Sequence, residues 1–81
     1  MDEKNYYDEV IEIIAGILGV EKDEISEDTA IGDIESWDSL HHIRIISAIE
    51  KEYGFRFTPD VMMDLEDVSD IVFATEERAG K

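Results

Sequence analysis

The sequence has no cysteine, few basic residues and no long apolar run. Without cysteine, a disulfide framework and chemistry that depends on a protein thiolate are both excluded. The first ten residues, MDEKNYYDEV, are acidic and lack the apolar core of a signal peptide. No segment approaches the length that a membrane-spanning helix needs. We therefore expect a soluble, cytoplasmic protein.

The charge of the chain is strongly unbalanced. It carries 22 acidic residues against 7 basic ones, a formal charge of −15 on 81 residues. A charge of this sign repels polyanions, so nucleic acid is a poor partner and a basic protein surface is a good one. The hydrophobic fraction of 43% is ordinary for a globular protein. This length predicts one small domain over residues 1–81, and we expect a monomer.

Apolar residues recur with helical spacing in three segments. The first segment covers about residues 4–18 and ends near Gly19, with an apolar stripe at Tyr6, Val10, Ile13, Ile14, Ile17 and Leu18. The second covers about residues 39–53 and ends at Gly54, with a stripe at Leu40, Ile43, Ile46, Ile49 and Tyr53. The third follows Asp67, with a stripe at Val68, Ile71, Val72 and Thr75. Each stripe predicts one face packed against a common core.

A fourth, shorter helix is predicted where Thr58 can cap a turn that begins with Pro59. Between the first two helices, VEKDEISEDTAIGDIESW has no sustained period but contains Val20, Ile25, Ile31, Ile34 and Trp37. We interpret this segment as an ordered loop whose apolar side chains pack on the core, with Trp37 as a lid rather than a ligand platform. The predicted fold is an all-α, small four-helix bundle: three main helices plus one short helix, with a long ordered loop between helices 1 and 2.

The segment WDSLHH, residues 37–42, is the candidate functional site, because it combines an aspartate, a serine and two histidines. A nucleophilic serine needs a base, an orienting group and an oxyanion hole. On a helix, His42 would lie nearer Ser39 than His41 does, because it is three residues away. However, no glycine-rich elbow or strand precedes Ser39, and so small a bundle offers little room for a closed cleft. We therefore expect no catalytic residues and a protein that is not an enzyme.

A dedicated metal site is also not expected. Adjacent histidines on a helix diverge by about 100°, whereas a zinc site takes ligands from positions i and i+4 or from several segments. The acidic loop from Glu21 to Glu35 lacks the ligand spacing of a calcium loop. We interpret His41 and His42 as residues of a solvated helix face.

Attachment of a group to Ser39 is the third possibility. Asp38 is a good N-cap whose carboxylate can accept from the amides of residues 40 and 41, which places Ser39 first in the helix. A phosphate on its hydroxyl would lie at the positive end of the helix dipole. Ser36 and Ser47 lack this position. Ser69 has a comparable one, so position alone leaves it as a competitor, although no tryptophan or long loop adjoins it.

Three segments fit one known pattern. Asp38-Ser39-Leu40 matches a D-S-L attachment motif, ISEDTAIGDIESWDSL matches the loop that precedes it, and IISAIEKEYGFRF matches the end of the following helix. With the length, the acidity and the helix order, the sequence resembles the acyl carrier protein family from about Tyr6 to Thr75.

This resemblance implies that Ser39 carries covalent 4′-phosphopantetheine, added from coenzyme A by a phosphopantetheinyl transferase. The thiol of that arm would hold an acyl group as a thioester, which would explain the absence of cysteine. The chain would present this cargo to an acyl-loading ligase or synthase and to acyltransferases, and the interior of the bundle would shelter the acyl chain. Residues near the serine would recognise partners, namely Asp38, Leu40, His42, Arg44, Ser47, Lys51, Met62 and Met63.

One departure from the family pattern concerns charge. Fatty-acid carriers usually place acidic residues just after the serine, whereas residues 39–53 here hold two basic and two acidic residues. Charge at an interface rim mainly tunes association rate and partner choice. We therefore expect a specialised carrier, in a fatty-acid, polyketide or cell-envelope pathway.

Two other interpretations stay open. One is an aminoacyl or peptidyl carrier, although such relatives usually have a glycine-rich segment before the serine and the nearest preceding glycine here is Gly32. The other is an acidic protein-interaction module that has no prosthetic group.

Overall fold

The computed structural model describes residues 6–79. It contains four α-helices: α1 (Tyr6–Leu18), α2 (Ser39–Tyr53), α3 (Pro59–Asp64) and α4 (Val68–Ala79). The all-α prediction is confirmed, since the described residues form no strand beyond two isolated bridges. A 3₁₀ turn at Lys22–Glu24, which the sequence did not predict, lies in the loop between α1 and α2. The predicted start of α1 at residue 4 lies outside the described residues.

Both predicted glycine stops are confirmed. Gly19 and Gly54 have φ values of +73° and +76°, in the left-handed region that glycine adopts without steric cost. The Gly19 amide donates to the Ala15 carbonyl at 2.9 Å, and the Gly54 amide donates to the Glu50 carbonyl at 2.8 Å. These bonds satisfy carbonyls that would otherwise lack a partner at the helix ends.

The predicted caps of the two later helices are present as well. The Thr58 hydroxyl accepts from the Val61 amide at 3.4 Å, directly before the helix that Pro59 opens. The Asp67 carboxylate accepts from the Asp70 amide at 2.9 Å. Local capping signals in the sequence therefore fix where α3 and α4 begin.

The core lies between α1, α2 and α4 and is built mainly from isoleucine and valine. Its side chains that are fully buried include Val10, Ile14, Ile45, Ile46, Ile49, Val68 and Ile71. Helix α1 packs against both α2 and α4, while α3 is short and has no buried residue. The short helix is thus held at the edge of the bundle.

The apolar stripe predicted for α2 is wrong at two positions. Ile46 is 1% exposed, but Leu40 and Ile43 are 59% and 55% exposed. Each residue turns the helix by about 100°, so a face centred on Ile45 and Ile49 directs Leu40 and Ile43 away from the core. The helix is therefore rotated relative to the predicted register, and two large apolar side chains remain on the surface near Ser39.

The loop between α1 and α2 is ordered by its contacts, as predicted. Ile25 and Trp37 are buried, Val20 and Ile34 are half-buried, and only Ile31 of the five expected core contacts is exposed. Backbone hydrogen bonds also join the loop to α4 and the residues before it: Ile31 to Glu66, Val68 to Thr29, and Ser69 to Glu27, at 2.9–3.0 Å. Both its buried apolar side chains and its backbone hydrogen bonds thus hold the loop against the bundle.

Within residues 6–79, none of the helices combines the length and the apolar character that a bilayer span requires.

Candidate functional site

Ser39 is the first residue of α2 and its side chain is exposed. The preceding residue, Asp38, is extended and its carboxylate accepts from the His41 amide at 2.9 Å. The predicted cap is therefore formed, with the amide of residue 41 as its donor. It places the Ser39 hydroxyl in solvent at the start of a 15-residue helix.

The electrostatics at this helix start favour a negatively charged group. The His41 amide is bound by the cap and the His42 amide donates to the Asp38 carbonyl at 2.9 Å. The amides of Ser39 and Leu40 come before the first intrahelical bond, and such amides have no acceptor within the helix. Together with the helix dipole, they would stabilise a phosphate attached to the Ser39 hydroxyl.

The charge of Asp38 is supported by the same contacts. Hydrogen bonds from the backbone amide and then from the side chain of His41 hold the pKa of the Asp38 carboxyl below its ordinary value. The ring Nδ1 of His41 lies 2.8 Å from the Asp38 carboxylate oxygen. Asp38 therefore stays ionised and accepts at the helix start across the neutral pH range.

Ser69, the competing serine, is the second residue of α4 and lies in a different environment. Its own amide donates to the Glu27 carbonyl at 3.0 Å, and the Val68 amide donates to the Thr29 carbonyl at 2.9 Å. The Asp70 amide is bound by Asp67. The first-turn amides of α4 are thus occupied by the loop and the cap, so they do not offer the anion site that α2 offers at Ser39.

Trp37 anchors the segment that precedes Ser39. It has no exposed surface, which confirms its predicted position over the core. Its backbone amide donates to the Ile34 carbonyl at 2.8 Å, and its carbonyl accepts from the Gly32 amide at 2.9 Å. The neighbouring Ser36 hydroxyl donates to the Leu18 carbonyl at 2.9 Å. The backbone just before Ser39 is therefore tied to both the loop and the end of α1.

The prediction that both histidines lie on a solvated face is wrong for His42. This ring is half-buried, and its Nδ1 accepts from the Trp37 indole Nε1 at 3.1 Å. The two rings are stacked with centroids 6.0 Å apart. Burial lowers the pKa of His42, and a backbone hydrogen bond with Leu65 opposes that shift. The rotation of α2 that exposes Leu40 is what turns His42 inward.

The histidine contacts bear directly on the catalytic hypothesis. His41 Nδ1 contacts Asp38, and His42 Nδ1 contacts Trp37. One nitrogen of each ring is thus bound to a residue other than Ser39, and among residues 6–79 no hydrogen bond joins Ser39 to either histidine, so these contacts give the catalytic hypothesis no support.

A groove of about 490 Å³ begins beside Ser39. Its walls are mainly apolar and come from the loop, α2, α3 and the link to α4, namely Ile31, Ile43, Ile46, Pro59, Met62, Met63 and Leu65. His42 and Glu66 add polar groups. Sequence reasoning placed the two methionines near the site but missed Leu65 and Glu66, because only the tertiary fold brings the α3–α4 link to the start of α2. Ile31 was noted as an apolar loop residue.

The residues predicted to recognise partners fall into two groups. Asp38, Leu40, Arg44, Ser47, Lys51 and Met63 are exposed, whereas His42 and Met62 are half-buried. The spacing of four, three and four residues places Leu40, Arg44, Ser47 and Lys51 along one face of α2. His42, Met62 and Met63 instead share the groove with Ser39.

Between residues 6 and 79, no three histidine, aspartate or glutamate side chains are grouped as a metal site would need.

Comparison with known proteins identifies one family. The family described as "Phosphopantetheine attachment site" matches residues 8–72, which include Ser39. An acyl carrier protein of Saccharopolyspora erythraea is 27% identical over 75 residues, which cover 93% of this chain and 79% of the relative. An acyl carrier protein of Solidesulfovibrio magneticus is 30% identical over 74 residues, covering 91% of this chain and 95% of the relative.

Proposed function

Because the chain belongs to the acyl carrier protein family and contains its phosphopantetheine attachment domain, we propose that Ser39 is the residue that carries the 4′-phosphopantetheine arm. The observation that carries this proposal is the exposed Ser39 hydroxyl at the open N-terminus of α2. The amides there suit the phosphate of the arm. The family is one of non-catalytic carriers.

The residues around Ser39 fit such an arm. When bound, its thiol holds an acyl group as a thioester. Asp38 fixes the helix start, Trp37 fixes the backbone before the serine, and the groove beside Ser39 offers apolar walls to an acyl chain. These walls favour an acyl cargo over an amino acid, whose charged amine would lose hydration there. The family match argues against an interaction module that has no prosthetic group.

Residues 1–81 would thus act as a single, monomeric, cytoplasmic carrier domain. Its partners would be a phosphopantetheinyl transferase, an acyl-loading ligase or synthase, and acyltransferases. We place it in a specialised fatty-acid, polyketide or cell-envelope pathway, because the exposed face of α2 carries Arg44 and Lys51 in a chain of net charge −15. Such a face suits a partner with acidic groups around an apolar pocket for Leu40.

The test is to incubate the purified chain with coenzyme A and a broad-specificity phosphopantetheinyl transferase, and then to measure the intact mass. We expect a gain of one phosphopantetheine arm for each chain. An unchanged mass, while circular dichroism reports the expected helices, would refute the carrier function.

Reversing the charge of Arg44 tests the partner surface. Because generic fatty-acid carriers present acidic residues on this helix, we expect Arg44→Glu to raise the acyl-transfer rate from a generic fatty-acid acyltransferase about three- to tenfold over wild type. The measurement is kcat/KM for acylation of the arm-bearing protein at low ionic strength. Arg56→Glu is the matched control, since Arg56 is exposed outside α2 and should leave the rate near wild type. Equal rates for wild type and Arg44→Glu would argue against a specialised surface.

A further inference from the structure

The two histidines of WDSLHH each bind a residue that precedes Ser39. His42 Nδ1 accepts from the Trp37 indole at 3.1 Å, and His41 Nδ1 lies 2.8 Å from the Asp38 carboxylate. Trp37 is therefore paired with His42, and Asp38 with His41. Ser39 and Leu40 lie between these two pairs in the sequence. Of the two histidines, His42 is the one that also lines the groove beside Ser39.

The contacts of His42 define the state of its ring. An indole N–H can only donate, so Nδ1 of His42 must present a lone pair, and the ring proton of the neutral imidazole is on Nε2. That proton is the one that the backbone of Leu65, a residue of the same groove, can accept. His42 thus joins the loop at Trp37 to the first turn of α2, and it lines one groove with Leu65 of the α3–α4 link.

We propose that His42 is a positioning residue for attachment of the arm to Ser39, and that it acts only as a neutral imidazole. This inference rests on the proposed carrier function. The link through His42 holds Trp37, and hence the backbone of Asp38 and Ser39, in one position relative to the groove. A transferase must bring the Ser39 hydroxyl to the phosphate of coenzyme A, so a fixed backbone here lowers the cost of reaching the reactive geometry.

Protonation of the ring would break this link. An imidazolium has two N–H donors and no acceptor, so Nδ1–H and the Trp37 Nε1–H would face one another. Trp37 has no exposed surface, and its indole would lose its acceptor without gaining water. Either the His42 ring or the end of the loop must then move. The Leu65 contact survives protonation, since Nε2 remains a donor.

The charges around His42 come from several elements. Glu66 of the α3–α4 link lines the same groove, Asp38 and His41 lie within a turn on the helix side, and Asp33 and Glu35 precede Trp37 in the loop. These acids would favour the imidazolium, yet burial lowers the pKa of His42. Its contribution to stability is therefore present above about pH 6.5, the ordinary histidine pKa, and is lost as pH falls through the lower folded-state value.

Three substitutions separate the two contacts of the ring. His42→Asn places an amide oxygen near the position of Nδ1, so it can still accept from Trp37 but cannot titrate. His42→Gln reaches the position of Nε2, so it can contact Leu65 but not Trp37. His42→Ala removes both contacts. Circular dichroism checks that each variant is folded, and should His42→Ala not fold, wild type, His42→Asn and His42→Gln carry the test.

The first measurement is the NMR signal of the indole N–H, which is unambiguous because Trp37 is the single tryptophan. In wild type, we expect this signal to shift with the titration of His42 below pH 6.5, and in His42→Asn to stay constant. An indole signal with the same pH dependence in both proteins would overturn the proposed link. This readout does not depend on whether Ser39 is modified.

The second measurement is kcat/KM for arm addition by the transferase. At pH 7.5 we expect a loss of about tenfold or more for His42→Ala and His42→Gln, and recovery of most of it in His42→Asn. As pH falls below 7.5, the ratio of wild type to His42→Asn should fall over the same pH range in which the indole signal of wild type shifts. No addition to wild type at pH 7.5 would refute the carrier function itself. Normal addition with a ratio independent of pH, or with no loss in His42→Gln, would refute the positioning role alone.

Discussion

Ser39→Ala is expected to abolish addition of the phosphopantetheine arm, whereas Ser69→Ala should leave it unchanged. The arm requires a side-chain oxygen at the attachment position, and alanine removes it. The two serines both lie in the first turn of a helix, but only at α2 are the amides beside the serine without an acceptor in the helix or loop. The measurement is the intact mass of each variant after prolonged incubation with transferase and coenzyme A.

The pair of variants also separates a lost attachment from a lost fold. Ser39 and Ser69 are both exposed, so each change should alter the free energy of unfolding by no more than about 0.5 kcal/mol. Circular dichroism and a urea titration check this. If the arm were still added to Ser39→Ala and were lost in Ser69→Ala, the attachment site would belong to α4. The inference that the amides without an acceptor at the start of α2 mark the attachment site would then be wrong.

The helix boundaries could be predicted because they depend on neighbouring residues alone. Gly19 and Gly54 end α1 and α2, and Asp38 and Thr58 cap α2 and α3, all as the sequence indicated. A cap or a left-handed stop involves atoms within four residues of one another. The 3₁₀ turn at Lys22–Glu24 was missed, since nothing in the apolar spacing marks so short an element.

The rotation of α2 could not be predicted with the same certainty. A stripe through Leu40 and Ile43 and a stripe through Ile45 and Ile49 are both compatible with helical spacing, because eight of the fifteen residues in this helix are large apolar or aromatic residues or histidines. The packing of α1 against α2 decides between them, and this information is not local. Two of the five residues of the predicted stripe, Leu40 and Ile43, therefore face solvent.

The contacts that distinguish the site also depend on tertiary packing. The pairing of Trp37 with His42 depends on the rotation of α2, and the occupied amides near Ser69 depend on the loop reaching α4. The sequence therefore identified Ser39 through its cap and through the family pattern, but it left Ser69 as a competitor. It placed His42 only among the residues expected to recognise partners and gave His41 no role.

Trp37→Ala should cost about 3–5 kcal/mol of unfolding free energy, because it removes the largest fully buried side chain of the core. A domain of this size has a total stability on the order of 4–12 kcal/mol, so this change would remove a large share of it. The variant should unfold at markedly lower urea concentration. Far-UV circular dichroism is the appropriate signal, since the substitution removes the single tryptophan and its fluorescence.

Two further variants show whether the loss comes from Trp37 itself. Trp37→Phe keeps an aromatic ring in the core but removes the donor to His42, so it should be more stable than Trp37→Ala and less stable than wild type. Phe73→Ala removes an aromatic side chain that is 62% exposed and should change stability by no more than about 0.5 kcal/mol. If Trp37→Ala were as stable as Phe73→Ala, the tryptophan could not be the residue that closes the core beneath the loop, and the fixed backbone before Ser39 would need another cause.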